Sequence, residues 1–171
     1  LITGGAGFLG ARLARALLAK GALRGQALHK VVLPDRVRPP ADLIADPRIE
    51  ARTGELLGQA AGLGAEGFDG VFHLAAAVSA ECETDFELGL RSNLDSTRAL
   101  LDGFRLAAKA PRLVFSSSIA VYGPDPAVPF PGAPGARSAF SRQKYGICWL
   151  SLAASSMNSV EGSYSRAFQV K

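Results

Sequence analysis

The chain has 171 residues, 48% of them hydrophobic, and a formal net charge of +4. That length and apolar content suit a domain with its own core and exclude a chain disordered throughout, and the two cysteines, Cys82 and Cys148, are too few for a disulfide framework or a structural zinc site. The charge excess is local: acidic and basic residues balance over 1–129, and beyond them Arg137, Arg142, Lys144, Arg166 and Lys171 face Glu161 alone, which does not point to nucleic acid. Apolar runs fall short of the roughly 20 residues a membrane helix needs, and nothing at the N-terminus reads as a signal peptide. A soluble chain in the cytoplasm is therefore expected. Leu1 already stands inside an apolar run, which suggests a piece of a longer protein.

In chain order, Leu1–Thr3 reads as the end of a buried strand, Gly4–Gly10 as a turn, and Leu9, Leu13 and Leu17 as the apolar stripe of a helix closed by Gly21. Residues 21–30 read as an extended loop. Val31-Val32-Leu33 is a second strand, stopped by Pro34, and Pro39-Pro40 and Pro47 mark another loop. Ile49–Thr53 is a weaker strand. Residues 56–66 suit a short helix weakened by Gly58, Gly62 and Gly64. Val71–Leu74 is a stronger strand. Leu90, Leu94, Thr97, Leu101, Phe104 and Ala108 then share one face of a long helix, and Leu113-Val114-Phe115 is a strand running into Ser116-Ser117-Ser118. Alternating strands and helices predict an α/β fold, a parallel sheet covered on both faces. After residue 124 prolines and then serines crowd the sequence. Ile147–Ala154 has helical potential, and the rest is an irregular tail.

Gly4, Gly7 and Gly10 stand three apart between a strand end and a helix start. Glycines there permit a tight turn, let backbone N–H groups approach a pyrophosphate and let the helix sit close to the sheet. The helix N-terminus adds partial positive charge. Without Gly-Lys-Ser/Thr, a P-loop is excluded. Asp35, just past the second strand, suits the ribose hydroxyls of NAD and repels a 2′-phosphate, although Arg36 and Arg38 beside it suit NADP. Glu55 and Leu56 follow the third strand, where they suit an adenine ring as well as a plain surface. Ala75 and Ala76 are small enough for a ligand to lie against the backbone. His73 reads as a packed strand histidine rather than a metal ligand, since His29 is the only other histidine. Asn93 is a polar position in the long helix. The three serines sit at the sheet edge where ligands bind in open α/β folds, or else cap the strand.

Thr3-Gly4-Gly5-Ala6-Gly7-Phe8-Leu9-Gly10, His73-Leu74-Ala75-Ala76, Asn93-Leu94-Asp95-Ser96-Thr97, and Phe115–Ser118 leading to Val121-Tyr122-Gly123 together resemble the extended short-chain dehydrogenase/reductase family of sugar-nucleotide epimerases and dehydratases. Residues 50–56, 70–79 and 85–93 are similar to its branch of sugar-acid dehydrogenases. The resemblance covers about residues 1–130. It implies a Rossmann-type doubly wound parallel sheet, NAD rather than NADP, and oxidation of the C2 hydroxyl of a four-carbon sugar acid. By position it puts Gly4, Gly7, Phe8, Leu9 and Gly10 at the pyrophosphate, Asp35 at the ribose, Glu55 and Leu56 at the adenine, and Ala75 and Ala76 at the cofactor's middle. Asn93 becomes a brace and Ser118 the catalytic serine, with Ser117 the fallback.

The family's Tyr-x-x-x-Lys pair, which stacks a phenol over an ammonium one helical turn away, is absent. Its nearest frame is Phe140-Ser141-Arg142-Gln143-Lys144, where Phe140 cannot carry a proton; Tyr145 points about 100° away from Lys144 on a helix. Lys144 is then either the remaining catalytic partner or an exposed lysine. Residues 131–171 read as a divergent tail in place of the catalytic helix and substrate domain. Dinucleotide binding with little turnover is expected, with a non-catalytic sensing or partner-binding role and a sugar-nucleotide epimerase or dehydratase as alternatives. The resemblance also allows a homodimer, though no isolated apolar stripe demands one.

Overall fold

The computed structural model describes residues 1–108, 110–118 and 147–152. Strand β1 (Ile2–Thr3) leads through the glycine turn into helix α1 (Phe8–Lys20), closed by Gly21, whose N–H donates to the Leu17 carbonyl. The expected loop after it contains a small antiparallel hairpin, β2 (Ala22–Leu23) and β3 (Gln26–Ala27). Strand β4 (Val31–Asp35), the short helix α2 (Ala41–Ile44) and strand β5 (Ile49–Thr53) follow. Then come helix α3 (Leu56–Ala65), strand β6 (Gly70–His73), and the short helices α4 (Ser79–Thr84) and α5 (Phe86–Gly89). A π-helical turn (Leu90–Asp95) runs straight into α6 (Ser96–Leu106), and β7 (Arg112–Ser118) and β8 (Ile147–Leu152) complete the described chain.

Strands β1, β6 and β7 pair in parallel, as do β4 and β5. The two ladders abut where the Gly4 and Gly5 N–H groups donate to the Pro34 carbonyl at 3.0 and 3.4 Å. The order across the fold is therefore β5-β4-β1-β6-β7-β8. The chain first winds one way from β1 and then crosses to β6 on its other edge. That reversal opens a crevice beyond the carboxyl ends of β1 and β6, where open α/β sheets bind ligands.

Alternation along the strands feeds two cores. Leu1, Val32, Val71 and Leu113 pack with Leu56, Ala60 and Leu63 of α3 and Leu100 and Phe104 of α6. Ile2, Val31 and Leu33 pack on the opposite face with Ala11, Ala14 and Leu17 of α1 and Leu43 of α2. On the first face α3 and α6 cross at a pair of glycines: a Cβ on Gly64 would lie 2.4 Å from Gly103 Cα. Gly64 weakens its helix in isolation, yet only its missing side chain lets the two helices meet so closely.

Three expectations are corrected. Pro34 does not stop β4, which continues to Asp35. The carbonyl of Pro34 faces the glycine turn, and its missing N–H lies on that same strand edge, away from the ladder with β5. Ile147–Leu152 is a strand antiparallel to β7, not helical; its Ile-Cys-Trp-Leu start has strong strand propensity, and β7 offers a free edge. The long helical stripe also slips. In the π turn the Ser96 N–H donates to the Arg91 carbonyl, five residues back, which inserts a residue relative to an α-helix. Ser96, Thr97, Leu100 and Phe104 are therefore buried, while Leu94 is 54% exposed.

Candidate functional site

The turn after β1 is shaped by backbone against backbone. Gly4 has φ +70°, and a Cβ on it would lie 3.0 Å from the Ala75 nitrogen. A Cβ on Gly10 would lie 2.1 Å from the Gly4 carbonyl oxygen, so the first turn of α1 rests directly on the loop. Gly5, which the three-apart spacing passes over, is as constrained, since its Cβ would lie 2.7 Å from Leu33 Cβ. The Gly7 N–H donates to the Gly4 carbonyl at 3.1 Å. Gly7 stands at the N-cap of α1, where no side chain caps the helix and no acidic residue occupies the first turn. The N–H groups of Phe8 and Leu9 thus open the helix without intrahelical partners, at its positive end. Phe8 itself projects outward, 79% exposed. The arrangement has the shape and polarity of a cradle that suits an anion.

Asp35 closes the cradle on the β4 side. Its Oδ2 accepts from the Ala6 N–H at 2.9 Å and its Oδ1 from the Val37 N–H at 3.2 Å. On the β6 side, Leu74 and Ala75 donate their N–H groups to Thr3 Oγ1 at 3.1 and 3.2 Å, and Ala76 is exposed beyond them. Glu55 is exposed at the start of α3, while the Leu56 side chain packs into the core.

Behind the cradle runs a closed chain of buried polar groups that sequence reading missed apart from His73. Thr97 Oγ1 donates to the Asn93 carbonyl at 2.8 Å, which uses its only hydrogen. It must therefore accept from His73 Nε2, 2.9 Å away. That leaves Nδ1 as an acceptor, 2.6 Å from Thr3 Oγ1, which donates to it. The direction of every bond fixes one neutral tautomer. Burial pushes the His73 pKa down to about 4, and the Phe115 ring stacks at a tilt 5.5 Å from the imidazole.

Asn93 grips the strand-end loop from the π turn. Its Oδ1 accepts from the Ala77 N–H at 2.8 Å and its Nδ2 donates to the Ala77 carbonyl at 3.1 Å. The site residues expected around β1, β4 and β6 thus gather at one end of the sheet. Ser118 ends β7 at that same end; its side chain lies outside the described residues, as do Lys144, Phe140 and Val121-Tyr122-Gly123. A separate open hollow of about 360 Å³, lined by Arg38, Pro39, Ala41, Ile44 and Ala45, shares none of these site residues. Among the described residues no group of three or more His, Cys, Asp or Glu could hold a metal ion, and no helix is long and apolar enough to cross a membrane.

A uncapped helix start against three constrained glycines, with an acid at the end of the neighbouring strand, is the geometry of a dinucleotide fold. The family model for NAD dependent epimerases and dehydratases matches residues 1–170. The chain belongs to this family. It is 49% identical over 129 residues to a D-erythronate dehydrogenase of Cupriavidus necator, covering 72% of this chain and 39% of that protein. It also resembles the crystal structure of a nucleoside-diphosphate-sugar epimerase from Agrobacterium tumefaciens, with 37% identity and a TM-score of 0.68 over 81% of this chain and 42% of that one. A dTDP-glucose 4,6-dehydratase double mutant from Streptomyces venezuelae, solved with NAD bound, is 28% identical with a TM-score of 0.62, covering 73% of this chain and 41% of that one. The chain spans about two fifths of the length of the curated relatives it matches.

Proposed function

We propose that the chain forms the NAD-binding part of a dehydrogenase that oxidises the C2 hydroxyl of a four-carbon sugar acid, working in the cytoplasm. The observation that carries this reading is the cradle itself: glycines that admit no Cβ beneath a helix start left bare for an anion. The residues fit the cofactor. The N–H groups of Phe8 and Leu9 would hold the pyrophosphate, with Gly4, Gly7 and Gly10 giving it room. Asp35, already oriented by Ala6 and Val37, would accept from the ribose hydroxyls. Ala75 and Ala76 would lie against the middle of the dinucleotide. Glu55 would border the adenine, and Leu56 would support it from the core. When bound, NAD accepts hydride from the substrate carbon.

The chain's own contribution to the chemistry is positional. Asn93 fixes the Ala77 peptide and with it the loop after β6. Ser118, at the sheet edge, would hydrogen-bond the substrate hydroxyl, with Ser117 as the fallback. Phe140 stands in the tyrosine slot, so no phenol is there to take the hydroxyl proton as hydride leaves; a water molecule or a neutral Lys144 amine would have to accept it. Slow turnover with ordinary cofactor binding follows.

The likeness to the sugar-acid dehydrogenase supports this substrate class over a sugar nucleotide. Titration of the chain with NADH, followed by nucleotide fluorescence, should saturate; no response at millimolar cofactor would overturn the reading. Addition of D-erythronate and NAD, read at the reduced-nicotinamide absorbance, should give a slow rate that Phe140→Tyr raises. Binding without any rate in either form would favour a cofactor-sensing protein.

A further inference from the structure

Arg36 follows Asp35, and a guanidinium at that point of a dinucleotide fold is suited to a 2′-phosphate. Here it is engaged elsewhere. Arg36 Nη2 donates to Glu81 Oε1 at 3.2 Å. Arg36 lies beyond β4 and Glu81 in the first turn of α4, beyond β6. These strands flank β1 on its two edges, so the ion pair joins the segments on either side of the glycine turn. Glu81 is itself anchored: its Oε2 accepts from the Val78 N–H at 3.2 Å. That bond and Arg36 hold its carboxyl below the usual glutamate range.

We propose that Glu81 is a specificity-determining residue for the dinucleotide, drawing Arg36 off the ribose position so that a 2′-phosphate would meet the carboxylates of Asp35 and Glu81 without a cationic partner. The proposal rests on the dinucleotide reading of the cradle and adds to it a residue outside the glycine turn. Both partners are substantially exposed, with 46% and 41% of the side-chain surface open to solvent, so the pair is weak and the selectivity it confers is moderate. Arg38, exposed at the hollow beside α2, is left unchanged in every variant and so cannot account for a difference between them.

The test is a calorimetric titration of the full chain with NAD and with NADP at low ionic strength, in wild type, Glu81→Gln, Arg36→Ala and the double variant. Gln keeps an oxygen for the Val78 N–H, so the loop is retained, and a thermal melt checks it. Glu81→Gln should raise NADP affinity by about threefold to tenfold and leave NAD affinity within about twofold. The gain should vanish in the double variant and shrink as salt is added. An unchanged NADP-to-NAD ratio in Glu81→Gln, or a gain that survives removal of Arg36, would overturn the proposal while leaving NAD binding intact. Failure of the wild type to bind NAD would overturn the dinucleotide reading and this proposal with it.

Discussion

Two glycine contacts of nearly equal tightness sit in different parts of this fold and do different things. At the turn after β1, the first turn of α1 presses on the loop, with Gly10 against the Gly4 carbonyl. At the α3–α6 crossing, Gly64 meets Gly103. The crossing is lined by Ala60, Leu63, Leu100 and Phe104, and its close approach completes an apolar core. The turn leads into an uncapped helix start, and its close approach leaves backbone N–H groups facing the crevice. The same absence of a side chain thus lets two helices close on an apolar core in one place and leaves a helix start uncovered in the other. What distinguishes them is the surroundings, not the glycine.

Substitutions can separate the two. Gly10→Ala would drive a methyl into a backbone oxygen that has no way to yield except by opening the turn. We expect NAD affinity to fall by at least about tenfold and stability by about 3 kcal/mol, read by titration and urea unfolding. Unchanged affinity would show that the turn's shape does not matter to the ligand.

Protonation probes the same end of the sheet through His73. Its folded pKa of about 4 lies below the free value of 6.5. The unfolded chain therefore takes up a proton first as pH falls. The stabilising contribution is complete above pH 6.5 and declines from there toward pH 4, by about 3 kcal/mol. Unfolding free energies of wild type and His73→Asn, compared across that range, should converge at low pH. Parallel curves would mean that the histidine is not held neutral.

Gly64→Ala should cost about 1–3 kcal/mol through overpacking, partly offset by the better helix propensity of alanine. NAD affinity should stay within about twofold, measured on the same samples. A matching loss of affinity would show that the two contacts are coupled rather than separate. Asn93→Ala is the mildest change. Loss of its two bonds to Ala77 should cost about 1 kcal/mol and speed amide exchange at Ala77, with a small drop in NAD affinity. Unaltered exchange at Ala77 would remove Asn93 from the bracing role.

The sequence by itself determined the parts governed by local rules. The strand–glycine–helix opening, the cap at Gly21, the strand at 49–53, the strand read at 71–74 and found one residue earlier at 70–73, and helix α3 follow from apolar period, turn residues and propensity, all of which act over a few neighbours. The shape of the glycine turn was legible for the same reason: glycine spacing encodes a backbone path.

Only the tertiary structure decided features that depend on partners far along the chain. Pro34 stays inside β4 because its missing donor faces an edge that carries no ladder. Residues 147–152 become a strand because β7 offers them an edge. The helical stripe after residue 90 shifts because the π turn, where Ser96 and Thr97 bond back to the Arg91 and Asn93 carbonyls, adds a residue that a 3.6-residue count cannot foresee. The Thr3–His73–Thr97 chain joins residues about 70 and 24 positions apart. A lone threonine or histidine gives no local sign of it, since hydrogen-bond partners are chosen by proximity in space after the sheet has assembled.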